Sequence, residues 1–226
     1  MLNVESYMSR LIPLLKARYG ERLIYVGLQG SYLRGEANET SDLDIMVVVD
    51  GLTIADLDAY RAVIASLERP DLSCGFICGR ADLERWNPLE IAHLLHTTKD
   101  YYHALGPLVP SYTSADVCRF VQLSVNNLYH ALCHSYIHAG REQCARQLPG
   151  AYKGVFFILQ NLYYLEHGEF IPTKAMLLPL LAGADQAVLK RAMGAWDNHT
   201  FEEAFTLLFH WCQQALERAA KKGAEG

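Results

Sequence analysis

Gly30-Ser31, Arg34, Asp42 and Asp44 are the residues whose types and spacing could do chemistry, in the stretch GLQGSYLRGEANETSDLDIMVVVD. Asp is depleted in strands, yet two of them lead into Ile45-Met46-Val47-Val48-Val49. At i and i+2 on a strand, both carboxylates face the same way. Two carboxylates on one face repel unless a cation lies between them. Mg²⁺ is the natural choice, because it takes oxygen ligands and shares them between one or two carboxylates and a substrate's phosphates. Gly30-Ser31 follow an apolar run, where the backbone N–H groups of a strand-to-helix turn bind anions. Gly30 lets a phosphate approach the backbone, and the Ser31 hydroxyl adds a donor. Arg34 returns to the same side three residues on and can fork onto phosphate oxygens. Singly each feature is ordinary: Gly-Ser pairs are common, and Asp42 could end the NETS turn. In this order they suit phosphoryl or nucleotidyl transfer.

The elements that must position them follow from periodicity. VESYMSRLIPLLKARYG reads as a helix ending at Gly20, with Pro13 predicting a kink or a late start. RLIYVGL is the first strand. DIMVVV is the second, apolar on both faces and hence buried on both. TIADLDAYRAVIASLER is a helix with Thr53 as N-cap and Asp56 completing a capping box. DLSCGFICG is the third strand. DLERWNPLEIAHLLHTTKDYYHALG reads as helical in pieces. Composition changes near Pro107 and Pro110, and from Ser114 onward every segment reads as helix. The expected fold is α+β: a small mixed sheet with flanking helices over residues 1–108, then an all-α bundle over 109–226.

Bulk properties exclude several classes. The chain has 226 residues, is 51% hydrophobic and carries a formal charge of −5. That is enough apolar material for a real core, and the acidic balance argues against a general nucleic-acid surface. The six Cys are scattered through a long chain, so reduced and mostly buried thiols are expected. Cys74-x-x-x-Cys78 lacks the second pair that a zinc site needs. The N-terminus does not read as a signal peptide and no segment reads as membrane-spanning, so a cytoplasmic location is expected.

The pattern Gly30-Ser31, Arg34-Gly35, Ser41-Asp42-Leu43-Asp44 resembles the signature of the polymerase-β-type nucleotidyltransferase superfamily, and is most similar to bacterial minimal and kanamycin (aminoglycoside) nucleotidyltransferases. The resemblance implies a Mg²⁺-dependent enzyme, with two ions, that transfers NMP, usually AMP from ATP, to an acceptor hydroxyl and releases pyrophosphate. It implies nucleotide binding by Gly30, Ser31 and Arg34, and metal binding by Asp42 and Asp44. It also implies a third carboxylate from the next strand, falling near Gly75 or Phe76, where none stands. Either Asp71 fills that role through a shifted register, or the third acid is missing. In the aminoglycoside enzymes the helical domain adds a Glu and a Lys, sometimes across a homodimer. GAYKGVFFILQ resembles the helix bearing that Lys, which makes Lys153 a candidate triphosphate ligand, with a surface role as the alternative. The Glu's position holds Pro149, leaving Glu142, Glu166 and Glu169 as substitutes.

His130, His134 and His138 recur every four residues. The i, i+4 spacing can place two imidazoles on one metal, but a polar stripe lining the acceptor pocket is the preferred expectation. A rival from another class is a catalytically impaired nucleotide-binding or antitoxin-like module that binds a partner protein. The missing third acid favours it, and the intact Asp pair argues against it.

Overall fold

The structure, a computed structural model, describes residues 2–196 and 200–225. The chain divides into two compact units, Met1–Ser111 and Tyr112–Gly226.

The first unit opens with α1 (Val4–Tyr19), whose N-cap Asn3 accepts from the Ser6 N–H and which closes at Gly20 in a positive-φ conformation. The helix runs on through Pro13 rather than starting late. Then come β1 (Leu23–Leu28), the short α2 (Gly30–Arg34) and β2 (Leu43–Val49). After β2 the chain rises through α3 (Ile54–Ala65) into β3 (Ser73–Gly79), followed by α4 (Arg80–Leu83), α5 (Pro88–His96) and β4 (Lys99–Tyr102). The sheet order is β3-β2-β1-β4. β1 is antiparallel to β2 and β4, and β2 is parallel to β3. A parallel pair needs a crossover, and α3 supplies it.

α3 begins where its sequence says it should. Thr53 and Asp56 form the reciprocal capping box. Arg22 then forks onto the buried Asp56 carboxylate at 3.2 and 2.7 Å, fixing the start of the crossover beside the end of β2. Lys99–Tyr102 is a strand, where the sequence reading expected helix. The α5 helix ends at the β-branched pair Thr97-Thr98, and the four residues that follow pair with β1 at the sheet edge. A charged strand this short suits an edge and carries too little alternation to be told from a helix end.

β2 is the centre of the unit, and Ile45 to Val49 are each 0% exposed. One of its faces (Leu43, Ile45, Val47, Val49) packs on Tyr7, Met8, Leu11 and Leu15 of α1. The other (Met46, Val48) packs on Tyr25, Cys78, Leu83 and Leu105. Asp42 and Asp44 share parity with that second face, at the open end of the strand.

The second unit is helical: α6 (Ser114–His138), α7 (Arg141–His167), α8 (Lys174–Leu177), α9 (Gly183–Ala192) and α10 (Phe201–Glu225). α7 runs through Pro149 and so begins well before the helix expected from GAYKGVFFILQ. Its core gathers Tyr152, Phe156, Leu208 and Trp211. Arg218 is clamped by Glu166 and Asp185, and Asp185 also accepts from the Trp211 indole at 2.7 Å.

Candidate active site

The site is built at the mouth of β2. Asp42 lies immediately before the strand and is exposed, Leu43 is buried on the α1 side, and Asp44 is half-buried. Leu43 and Asp44 alternate as a strand requires, while Asp42 sits one residue outside it. The two carboxylates feel each other. Burial is the largest influence on Asp44 and pushes its carboxyl above the ordinary carboxylate range, and the charge of Asp42 pushes the same way. The Cys74 thiol, as hydrogen-bond donor, and the Arg34 charge push it down.

Gly30 follows β1, and the Gln29 N–H donates to the Asp44 carbonyl at 2.9 Å, tying the turn to the strand. Gly30 has φ +71°, and a Cβ there would stand 1.9 Å from Asp44 Oδ2. The absent side chain thus makes room for the Asp44 carboxylate itself. Ser31 is the second residue of α2, and its carbonyl accepts from the N–H groups of Gly35 and Glu36. Arg34 closes α2 with its Nε 3.0 Å from Glu36 Oε2. Behind it stands His93 of α5, whose imidazole is pushed down to about 4, first by burial and then by the Arg34 charge.

Asp71 lies in a single 3₁₀ turn ahead of β3, exposed, with its carboxylate bridged by Arg69 at 2.8 to 3.2 Å. That guanidinium holds it below the usual carboxylate range. The residue paired with Asp44 across β2 and β3 is Cys74. Gly75, one of the two positions where an acid was expected, accepts no side chain: with φ +120°, a Cβ would lie 2.1 Å from the Ile45 carbonyl oxygen. Phe76, the other, packs edge-on against Trp86 at 5.3 Å. Cys74 had no local signal, since a thiol in an apolar run reads as core. Only the strand register reveals it.

The residues fit a divalent cation. Two carboxylates stand two residues apart at the mouth of β2, one exposed and one half-buried, and the charge of Asp42 raises the cost of ionising Asp44. Among the described residues no group of three or more His, Cys, Asp or Glu side chains could hold a metal ion. The pair thus suits a cation that completes its shell from water and substrate phosphate, as Mg²⁺ does.

In the second unit Lys153 is exposed on α7. Glu166, considered as a catalytic substitute, is bound by Arg218. Glu142 is exposed with Arg146 3.7 Å away, and Glu169 is exposed. The three His rings line one exposed face of α6, with centroids 6.0 and 4.8 Å apart.

Residues 8–91, from α1 into α5, match the nucleotidyltransferase-domain family. The matched segment carries the candidate site. It contains Gly30, Ser31, Arg34, Asp42, Asp44 and Cys74. Spectinomycin adenyltransferase AAD(9) from Enterococcus faecialis, solved with ATP and spectinomycin, has a similar fold, with a TM-score of 0.59 at 14% identity over 95% of this chain and 100% of that one. No curated protein matches the sequence. No helix among the described residues is long and apolar enough to cross a membrane.

Proposed function

We propose that the chain transfers a nucleoside monophosphate from a nucleoside triphosphate, AMP from ATP, to a hydroxyl of a small-molecule acceptor. The observation that carries this is the Asp42–Asp44 pair at the mouth of β2, with Asp44 seated against Gly30 inside the segment that matches the nucleotidyltransferase-domain family. The likeness to an adenyltransferase solved with ATP and spectinomycin supports ATP and a small acceptor.

In the reaction the acceptor oxygen attacks the α-phosphorus and gives up its proton to water, the bond to the bridging oxygen breaks, and pyrophosphate leaves with that electron pair. Asp42 and Asp44 would hold Mg²⁺, two ions by the resemblance, and bound metal would neutralise charge developing on the phosphoryl oxygens. The Gly30-Ser31 turn orients the triphosphate and keeps Asp44 in place, and Arg34 is assigned to the phosphates. Lys153 is assigned to the triphosphate and the helical unit to the acceptor. A carboxylate clamped by Arg69 is a poor base, so Asp71 is the weakest of the assigned residues.

The test is pyrophosphate release from ATP, with labelled-AMP transfer to a panel of hydroxyl-bearing acceptors including spectinomycin. Asp42→Asn and Asp44→Asn are each expected to cut transfer more than about 100-fold, beyond the 10–100-fold typical of outer-shell partners, with melting curves little changed. Wild-type turnover in both variants would refute the assignment. A second reading, a nucleotide-binding module without turnover, is favoured by the lack of an acid at Gly75 and Phe76, with a thiol, Cys74, paired with Asp44 across the strands. Tight ATP binding with no pyrophosphate from any acceptor would select it.

A further inference from the structure

Cys74 is the exposed cysteine of this chain. Cys78, Cys118, Cys144 and Cys212 are buried, and Cys133 is half-buried. Its exposure is not that of a loop residue. Cys74 is the second residue of β3 and stands in register with Asp44 of the parallel β2. The pairs that follow on the same parity, Met46 with Phe76 and Val48 with Cys78, point into one apolar cluster. The Cys74 and Asp44 side chains therefore emerge side by side on the face that also carries Asp42.

The spacing between them is fixed by backbone. Gly75 lies so close to β2 that any side chain would collide with the Ile45 backbone, so β3 is pressed onto β2 at the step beside Cys74. On its other flank the Asp44 carboxylate fills the space that a Cβ on Gly30 would take. A glycine backbone thus confines it on one side, and Cys74, its partner in the strand register, stands on the other.

We propose that Cys74 is a positioning residue of the cation-binding pair, its thiol fixing the Asp44 carboxylate in the orientation that lets it share a divalent cation with Asp42. This rests on the nucleotidyl-transfer reading of the site but concerns cation binding, which is measurable without turnover. An outer partner of a ligating carboxylate is worth about 10–100-fold in metal affinity.

The test uses the full chain and Mn²⁺ alone, with bound ion counted by loss of the free-ion paramagnetic resonance signal. Cys74→Ala is expected to weaken Mn²⁺ binding about 10-fold. Cys74→Ser, which keeps a hydroxyl donor, should stay within about 3-fold of wild type. N-ethylmaleimide adds to the thiol sulfur, the thiol proton passing to the maleimide carbon, and needs no substitution. Peptide mapping should show Cys74 capped first, the capped protein should lose Mn²⁺ binding, and Mn²⁺ should slow the capping. If Cys74→Ala and the capped protein bind Mn²⁺ as wild type does, or if Cys74→Ser loses as much as Cys74→Ala, the proposal is overturned while the transfer reading stands. If the wild-type chain binds no Mn²⁺, the Asp42–Asp44 assignment fails and this inference with it.

Discussion

Gly30 shows how much of a site can depend on one missing methyl group. Its φ of +71° would cost a side-chain-bearing residue about 1–2 kcal/mol, and a Cβ would also displace the Asp44 carboxylate. Gly35 separates the two effects, since it has a similar φ of +68° with nothing within 4 Å of the Cβ position. Gly30→Ala and Gly35→Ala are therefore expected to lower the melting temperature by similar amounts, while only Gly30→Ala abolishes Mn²⁺ binding and transfer. Equal losses of binding in both would show that turn strain, not collision with Asp44, is what the glycine avoids. The glycine and the Asp pair were legible from sequence, because strand alternation and turn chemistry are local rules. A second demand on Gly30 was not: the space its hydrogen faces is filled by a carboxylate 14 positions along the chain. Cys74 was illegible for the same reason, since strand register is a property of two segments and neither of them encodes it alone.

At the scale of elements, local signals again marked what was readable. The Thr53–Asp56 box started α3 as written, whereas β4 was hidden because four edge residues carry barely one period of alternation, and α7 ran through Pro149 because tertiary packing outweighed the break. α5 carries a pH dependence of its own. Burial first, then the charges of Arg34 and His96, push His93 down to about 4, against about 6.5 in an unfolded chain. Between those values the unfolded state binds more protons than the folded one, so stability is lost as pH falls. Above about pH 6.5 His93 is neutral in both states and contributes no slope. Lowering the pH from 7 to 5 should therefore lower the opening free energy across residues 1–111, read as amide protection factors after division by the intrinsic exchange rates, by up to about 1.4 kcal/mol per unit below 6.5. His93→Gln should flatten this slope while leaving exchange at pH 7 nearly unchanged. The same slope in the variant would assign it to other groups.

The two units carry separate cores. Among the described residues, the one around β2 draws on residues of Met1–Ser111 and the one around Trp211 on residues of Tyr112–Gly226. Chains of about this length bury enough surface to fold alone. Every group assigned to the cation, and the Gly30 turn with it, lies in the first unit. Residues 1–111 expressed alone are therefore expected to melt cooperatively and to bind Mn²⁺ within about 3-fold of the whole chain, a difference below about 0.7 kcal/mol. Residues 112–226 should fold and bind no cation at this strength, because their His stripe offers exposed rings without a third ligand. Transfer should be absent from either piece if the helical unit supplies the acceptor groups. A first unit that binds Mn²⁺ and also adenylylates an acceptor would remove the helical unit from the reaction. A first unit that folds without binding Mn²⁺ would show that the cation needs groups beyond Asp42, Asp44 and Cys74.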